Sequence, residues 1–85
     1  MSTTEQLARF ETAQETLGML VAIRTSLVYS EKRKAKPDAN KITIWESEIA
    51  KYNDEDLSLR FSDTTEIERI LTSYGPMVKA NSVNA

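Results

Sequence analysis

Ser30-Glu31-Lys32-Arg33-Lys34-Ala35-Lys36-Pro37-Asp38-Ala39-Asn40 decides the fold of this chain. No proline precedes Pro37. A proline pushes the residue before it out of the helical region, yet suits the first turn of a new helix. The basic run Lys32–Lys36 favours the negative, C-terminal end of a helix dipole. The stretch therefore reads as the end of one helix, a short turn and the start of the next. A connection this short predicts an antiparallel hairpin.

Upstream of the turn, one helix is expected over about 4–34. Thr3 or Thr4 can cap it, with Glu5 near the positive end of the dipole. Phe10, Ala13, Leu17, Leu20, Val21, Leu27 and Val28 fall in one stripe about 120° wide at 100° per residue. At about 1.5 Å per residue such a helix is a rod of about 45 Å, long for a chain of this size.

Downstream, a second helix is expected over about 38–60, with Ile42, Trp45, Ile49, Tyr52 and Leu59 in an a/d-like pattern interrupted at Asp56. A third, over about 64–74, has Asp63 and Glu66 at capping-box spacing and Ile67, Ile70, Leu71 and Tyr74 on one face. Gly75-Pro76 then reads as its stop. The resulting expectation is an all-α fold, a single helical domain over 1–76 with a flexible tail over 77–85. The β-favouring stretches 41–45 and 57–61 allow an α+β alternative, helix–β-hairpin–helix. The 11 residues between them hold Ile49, Ala50 and Tyr52 at helical spacing and do not read as a hairpin loop.

Composition narrows the chemistry. The 85 residues include no His and no Cys. The commonest general base and metal ligand is missing, as are thiol nucleophiles, zinc thiolates and disulfides. Ser30 has Lys32 and Arg33 near it but lacks Ser-x-x-Lys spacing, so no serine is set up for activation. Asp54, Glu55, Asp56 and Asp63 are crowded enough to suggest acid/base work, which needs a pocket to separate their pKa values. Asp54, Asp56 and Ser58 alternate as in a calcium loop, but the turn glycine and terminal Glu are absent. Gly18 and Gly75, the only glycines, cannot form a phosphate-binding loop. The expectation is a protein that is not an enzyme, with no cofactor and no metal.

Net charge is −2, unevenly placed: residues 1–36 carry +2 and residues 37–85 carry −4. Complementary halves can attract within one chain or between copies. The densest apolar run, Leu17–Ile23, is far short of the about 20 residues that span a membrane. The N-terminus lacks the basic and apolar regions of a signal peptide, and a cytoplasmic protein is the plain expectation.

The contact-bearing residues stand out. Arg24 lies in the middle of the apolar stripe, where an unpaired guanidinium is costly. Glu48, Glu31 and Asp56 are its candidate partners. By register, Glu48 or a second copy fits best. Gly18 in mid-helix suggests a close helix approach, and Met19 and Ile23 make the first helix apolar on a second side. Trp45 and Tyr52 are core residues or contact hot spots. The expected interface residues are thus Gly18, Leu20, Ile23, Arg24, Leu27, Trp45 and Tyr52. Arg24, Lys32, Arg33, Lys34 and Lys36, with Lys41 and Tyr29 nearby, form a candidate anion-binding cluster.

These features suit a small interaction protein that forms a homo-oligomer, dimer or higher, and binds or inhibits a protein partner through helical faces. Size and composition alone suggest an accessory or regulatory protein of bacteria, phage or mobile elements. The alternatives are nucleic-acid or nucleotide binding through the basic cluster, and a structural subunit of a larger assembly such as a virion.

Overall fold

A computed structural model of the chain describes the backbone of residues 2–84 and the side chains of residues 2–81. Three helices follow in order: α1 (Thr3–Lys32), α2 (Ala39–Ser58) and α3 (Thr64–Asn84). The described residues contain no strand, so 41–45 and 57–61 do not pair and the helix–β-hairpin–helix alternative is excluded. The acidic stretch 53–56 is part of a continuous α2, with Asn53, Asp54 and Asp56 exposed and Glu55 turned to α3.

Local chemistry explains each boundary. Ser2, one residue before the expected caps, closes the start of α1. Its Oγ accepts from the Glu5 N–H at 3.1 Å, the bond of an N-cap, and its hydroxyl donates to Glu5 Oε1 at 3.2 Å. Asp38 caps α2 by accepting from the N–H groups of Asn40 and Lys41 at 3.0 and 3.2 Å. Asp63 Oδ1 accepts from the Glu66 N–H at 3.1 Å and starts α3.

The third helix corrects the expected stop at Gly75-Pro76. Pro76 lies inside α3, which runs to Asn84, and no glycine has a positive φ. A left-handed Gly75 terminating the helix is therefore absent. A proline clashes with the N–H and Cβ of the residue before it. Gly75 has no Cβ, so this pair removes part of the conflict that makes X-Pro a helix breaker. Met77 and Val78 then pack against the core, which favours continuing the helix. The expected tail begins instead as the last two turns of α3.

The two connections lie at opposite ends of an elongated body measuring 52 × 26 × 15 Å. The α1–α2 turn forms one end, called distal below. At the other, proximal end, Gln6 Nε2 donates to the Phe61 carbonyl at 2.7 Å, and Phe10 meets Phe61 edge to face. The radius of gyration is 14.8 Å, against about 12 Å for a compact chain of this length. The shared core is made by Ala13, Leu17 and Leu20 of α1, Tyr52 of α2, Leu59 after it, and Ile67, Ile70 and Tyr74 of α3. Its α1 members all lie between Ala13 and Leu20. Val28 is buried outside it, nearer the distal turn.

Polar links tie α3 down. Arg9 pairs with Glu68. Arg69 Nη2 donates to Glu55 Oε1 at 2.7 Å and to Glu66 Oε1 at 2.6 Å. The Tyr74 hydroxyl meets both Glu55 oxygens at 2.9 Å, and its ring stacks edge to face on Tyr52.

Candidate functional site

The hairpin turn is organised by Glu31, whose side chain is only 5% exposed. Glu31 Oε1 accepts from Lys34 Nζ at 2.9 Å, and Oε2 accepts from the Asp38 N–H at 3.0 Å. These bonds favour the ionised carboxylate, and the hydrogen bond from Lys34, then that from Asp38, lowers its pKa. Asp38 in turn spends its carboxylate on the start of α2. Both acids between residues 24 and 41 are thus occupied by the turn itself. The same segment holds six basic residues, for a net charge of +4.

The basic residues face outward. Lys32, Arg33, Lys34 and Lys36 are all exposed. Arg33 stacks its guanidinium over the Tyr29 ring at 5.4 Å, while Tyr29 stays 64% exposed. Lys32 approaches Glu46 at 3.6 Å, a surface ion pair of little energy.

Arg24 does not belong to this exposed set. Its Nε donates to Glu48 Oε1 at 3.3 Å, with the two side chains 12% and 32% exposed. Glu48 is the carboxylate that the antiparallel register favoured. The guanidinium is thereby committed within the chain, leaving the basic cluster without its fifth expected member.

The expected interface residues separate into two groups. Leu20 and Tyr52 are core residues, so neither can meet a partner while the bundle is closed. Burial raises the Tyr52 pKa, in keeping with that position. Gly18 is exposed, and a Cβ built on it meets nothing within 4 Å, so the chain itself contains no close helix approach there. Ile23 and Trp45 are half-buried, and Leu27 is 37% exposed. Half-buried Ile42 and Ile49 lie on α2 with Trp45. The surface also includes Ile44, 58% exposed, and Tyr29 as an apolar body. Sequence periodicity misses Ile44 because it lies off the a/d pattern between Thr43 and Trp45.

Other groupings hold less. No group of three or more metal-ligating side chains occurs among the described residues. The concavity beside Arg9, lined by Gln6, Thr64, Ile67 and Glu68, has about 10 Å³, hardly room for one water. A wider groove of about 280 Å³ opens at the proximal end, lined by Ser2, Thr3, Gln6, Phe61 and Ser62. No described helix is long and apolar enough to cross a membrane.

Comparison with protein-family models, curated proteins and solved structures returns no match for this chain. The chemistry of the surface itself therefore carries the functional reading.

Proposed function

We propose that this chain is a small non-enzymatic interaction protein that self-associates and engages a protein partner through the helical faces of the distal hairpin. The observation that carries the reading is excess surface. The accessible area is 5838 Å² for a mass of 9.6 kDa. A compact monomer of that mass exposes about 5,090 Å². The surplus of about 750 Å² approaches the about 800 Å² that each partner buries in a standard protein interface.

Its location supports the same reading. The buried α1 residues of the shared core end at Leu20, with Val21 packed against them and Val28 buried apart. From Ile23 onward the hairpin keeps Ile23, Ile42, Trp45 and Ile49 half-buried and Leu27 and Ile44 exposed. Half-covered apolar side chains gain further hydrophobic free energy, about 25 cal/mol per Å², only when another surface covers them. A second copy of the chain is one surface that meets that need.

The test is the solution mass of the wild type beside a Leu27→Asp/Ile44→Asp variant. Circular dichroism checks that the variant keeps the helical content of the wild type. Loss of self-association together with loss of partner capture supports the proposal. An unchanged mass and unchanged capture would reject it. An accessory or inhibitory role is consistent with such a surface; the identity of the captured protein distinguishes the two.

A further inference from the structure

The long axis of the molecule is also an axis of charge. Residues 24–48 at the distal end carry six basic and four acidic side chains, a net +2, with Glu46 and Glu48 paired to Lys32 and Arg24. At the proximal end, residues 1–18 and 51–69 together carry nine acidic and four basic side chains, a net −5. The whole chain nearly cancels this separation, so composition hides it. The fold exposes it by putting the turn at one end of a 52 Å body and the α2–α3 connection at the other.

Each end also shows apolar surface. The distal end offers Tyr29 and Ile44 among its cations. The proximal end offers Leu57, 85% exposed, and Phe61 beside the open groove. Asp54 lies three residues before Leu57 on the same face of α2, and Asp54, Asp56 and Glu15 are exposed.

We infer that copies of this chain associate head to tail, the cationic distal turn of one seating on the acidic proximal end of the next. The inference rests on the self-association proposed above and deepens it by naming which surfaces meet. Opposite charges at the two ends steer that encounter, while two like ends repel. Because the two surfaces differ, the contact is heterologous. Such contacts do not stop at two copies; they close into a ring or extend as a filament. Glu31 and Asp38 serve this arrangement, since Asp38 is held by two backbone N–H groups and Glu31 by one N–H and Lys34, which leaves Lys32, Arg33 and Lys36 exposed.

The test uses two charge-reversal variants of the full chain. Lys32→Glu/Arg33→Glu/Lys36→Glu makes both ends acidic. Glu15→Lys/Asp54→Lys/Asp56→Lys makes both ends basic. All six side chains are exposed, and circular dichroism checks that each variant folds. Sedimentation at low salt should show the wild-type mass rising with concentration past two copies, and falling back to 9.6 kDa as salt is raised. Each variant alone should lose all mass above the monomer, and their equimolar mixture should regain it.

A wild type that stops at a salt-insensitive dimer would overturn the head-to-tail arrangement while leaving self-association intact. A wild type that stays monomeric at low salt would overturn it outright. A third contrary result is a distal variant that keeps the wild-type mass but no longer retards a single-stranded oligonucleotide in a gel. The distal cations would then serve a phosphate backbone.

Discussion

Removing either partner of the Arg24–Glu48 pair should have unequal consequences, because the two side chains are unequally buried. Arg24 is 12% exposed within the apolar stripe of α1, whereas Glu48 is 32% exposed. Glu48→Ala strands a guanidinium that water can barely reach, and leaving a buried polar group unpaired costs about 1–3 kcal/mol. Arg24→Met leaves a carboxylate that water can reach, and keeps an unbranched side chain along the path of the arginine stem. Replacing a desolvated cation by a packed apolar group is often neutral, so this variant should lie within about 1 kcal/mol of wild type. The 3.3 Å contact uses Nε alone and is longer than the about 2.7–2.9 Å of strong charge-assisted bonds, so the pair itself adds little.

The asymmetry should be easy to measure. A chain of this length has a total stability of about 4–13 kcal/mol. A loss of 2 kcal/mol corresponds to about 8–16 °C in melting temperature for a domain of this size. Urea unfolding followed by circular dichroism would give both differences. Arg24→Met introduced into Glu48→Ala should recover most of the loss, because no stranded charge then remains. If Arg24→Met costs as much as Glu48→Ala, the placement of Arg24 in a dry stripe is wrong.

Acid should weaken the hairpin turn through Glu31. Its folded-state pKa is lowered by the Lys34 and Asp38 hydrogen bonds, so its stabilisation is fully present above the unfolded-state value and is lost as pH falls through the folded one. Urea midpoints across the acidic range should therefore fall less steeply for Glu31→Gln than for wild type. Gly18→Ala should raise stability by about 0.5–1 kcal/mol, since the added Cβ meets no atom within 4 Å and alanine is the better helix former, whereas Gly75→Ala should lower it, because its Cβ restores the clash with Pro76 inside α3. Thermal melts check both. Tyr74→Phe should cost about 1 kcal/mol in urea unfolding by removing the hydroxyl bonded to Glu55, which keeps Arg69 as a partner.

The helical hairpin was legible because its signals are local. Pro37-Asp38, the basic run before them and the apolar spacing of both arms all act within a few residues. The Arg24–Glu48 contact was legible for a different reason: a charge in an apolar stripe demands a carboxylate, and antiparallel register limits which one can reach. Gly75-Pro76 misled because the two residues are each helix breakers alone, whereas the missing Cβ of Gly75 relieves part of the clash of Pro76 and core contacts of Met77 and Val78 add support. The roles of Glu31 and Glu55 were hidden too. Both lie in charged stretches that read as solvated surface, and only the folded chain brings Asp38 to the one and Arg69 with Tyr74 to the other. The charge axis follows from topology, since it depends on which sequence segments meet at each end.

Amide hydrogen exchange of the wild type, compared between dilute and concentrated solution, tests most directly whether the distal hairpin is a surface for contacts between chains. If it is, protection over 25–45 should increase with concentration. Protection that is identical at both concentrations, or that rises only within α3, would contradict the account.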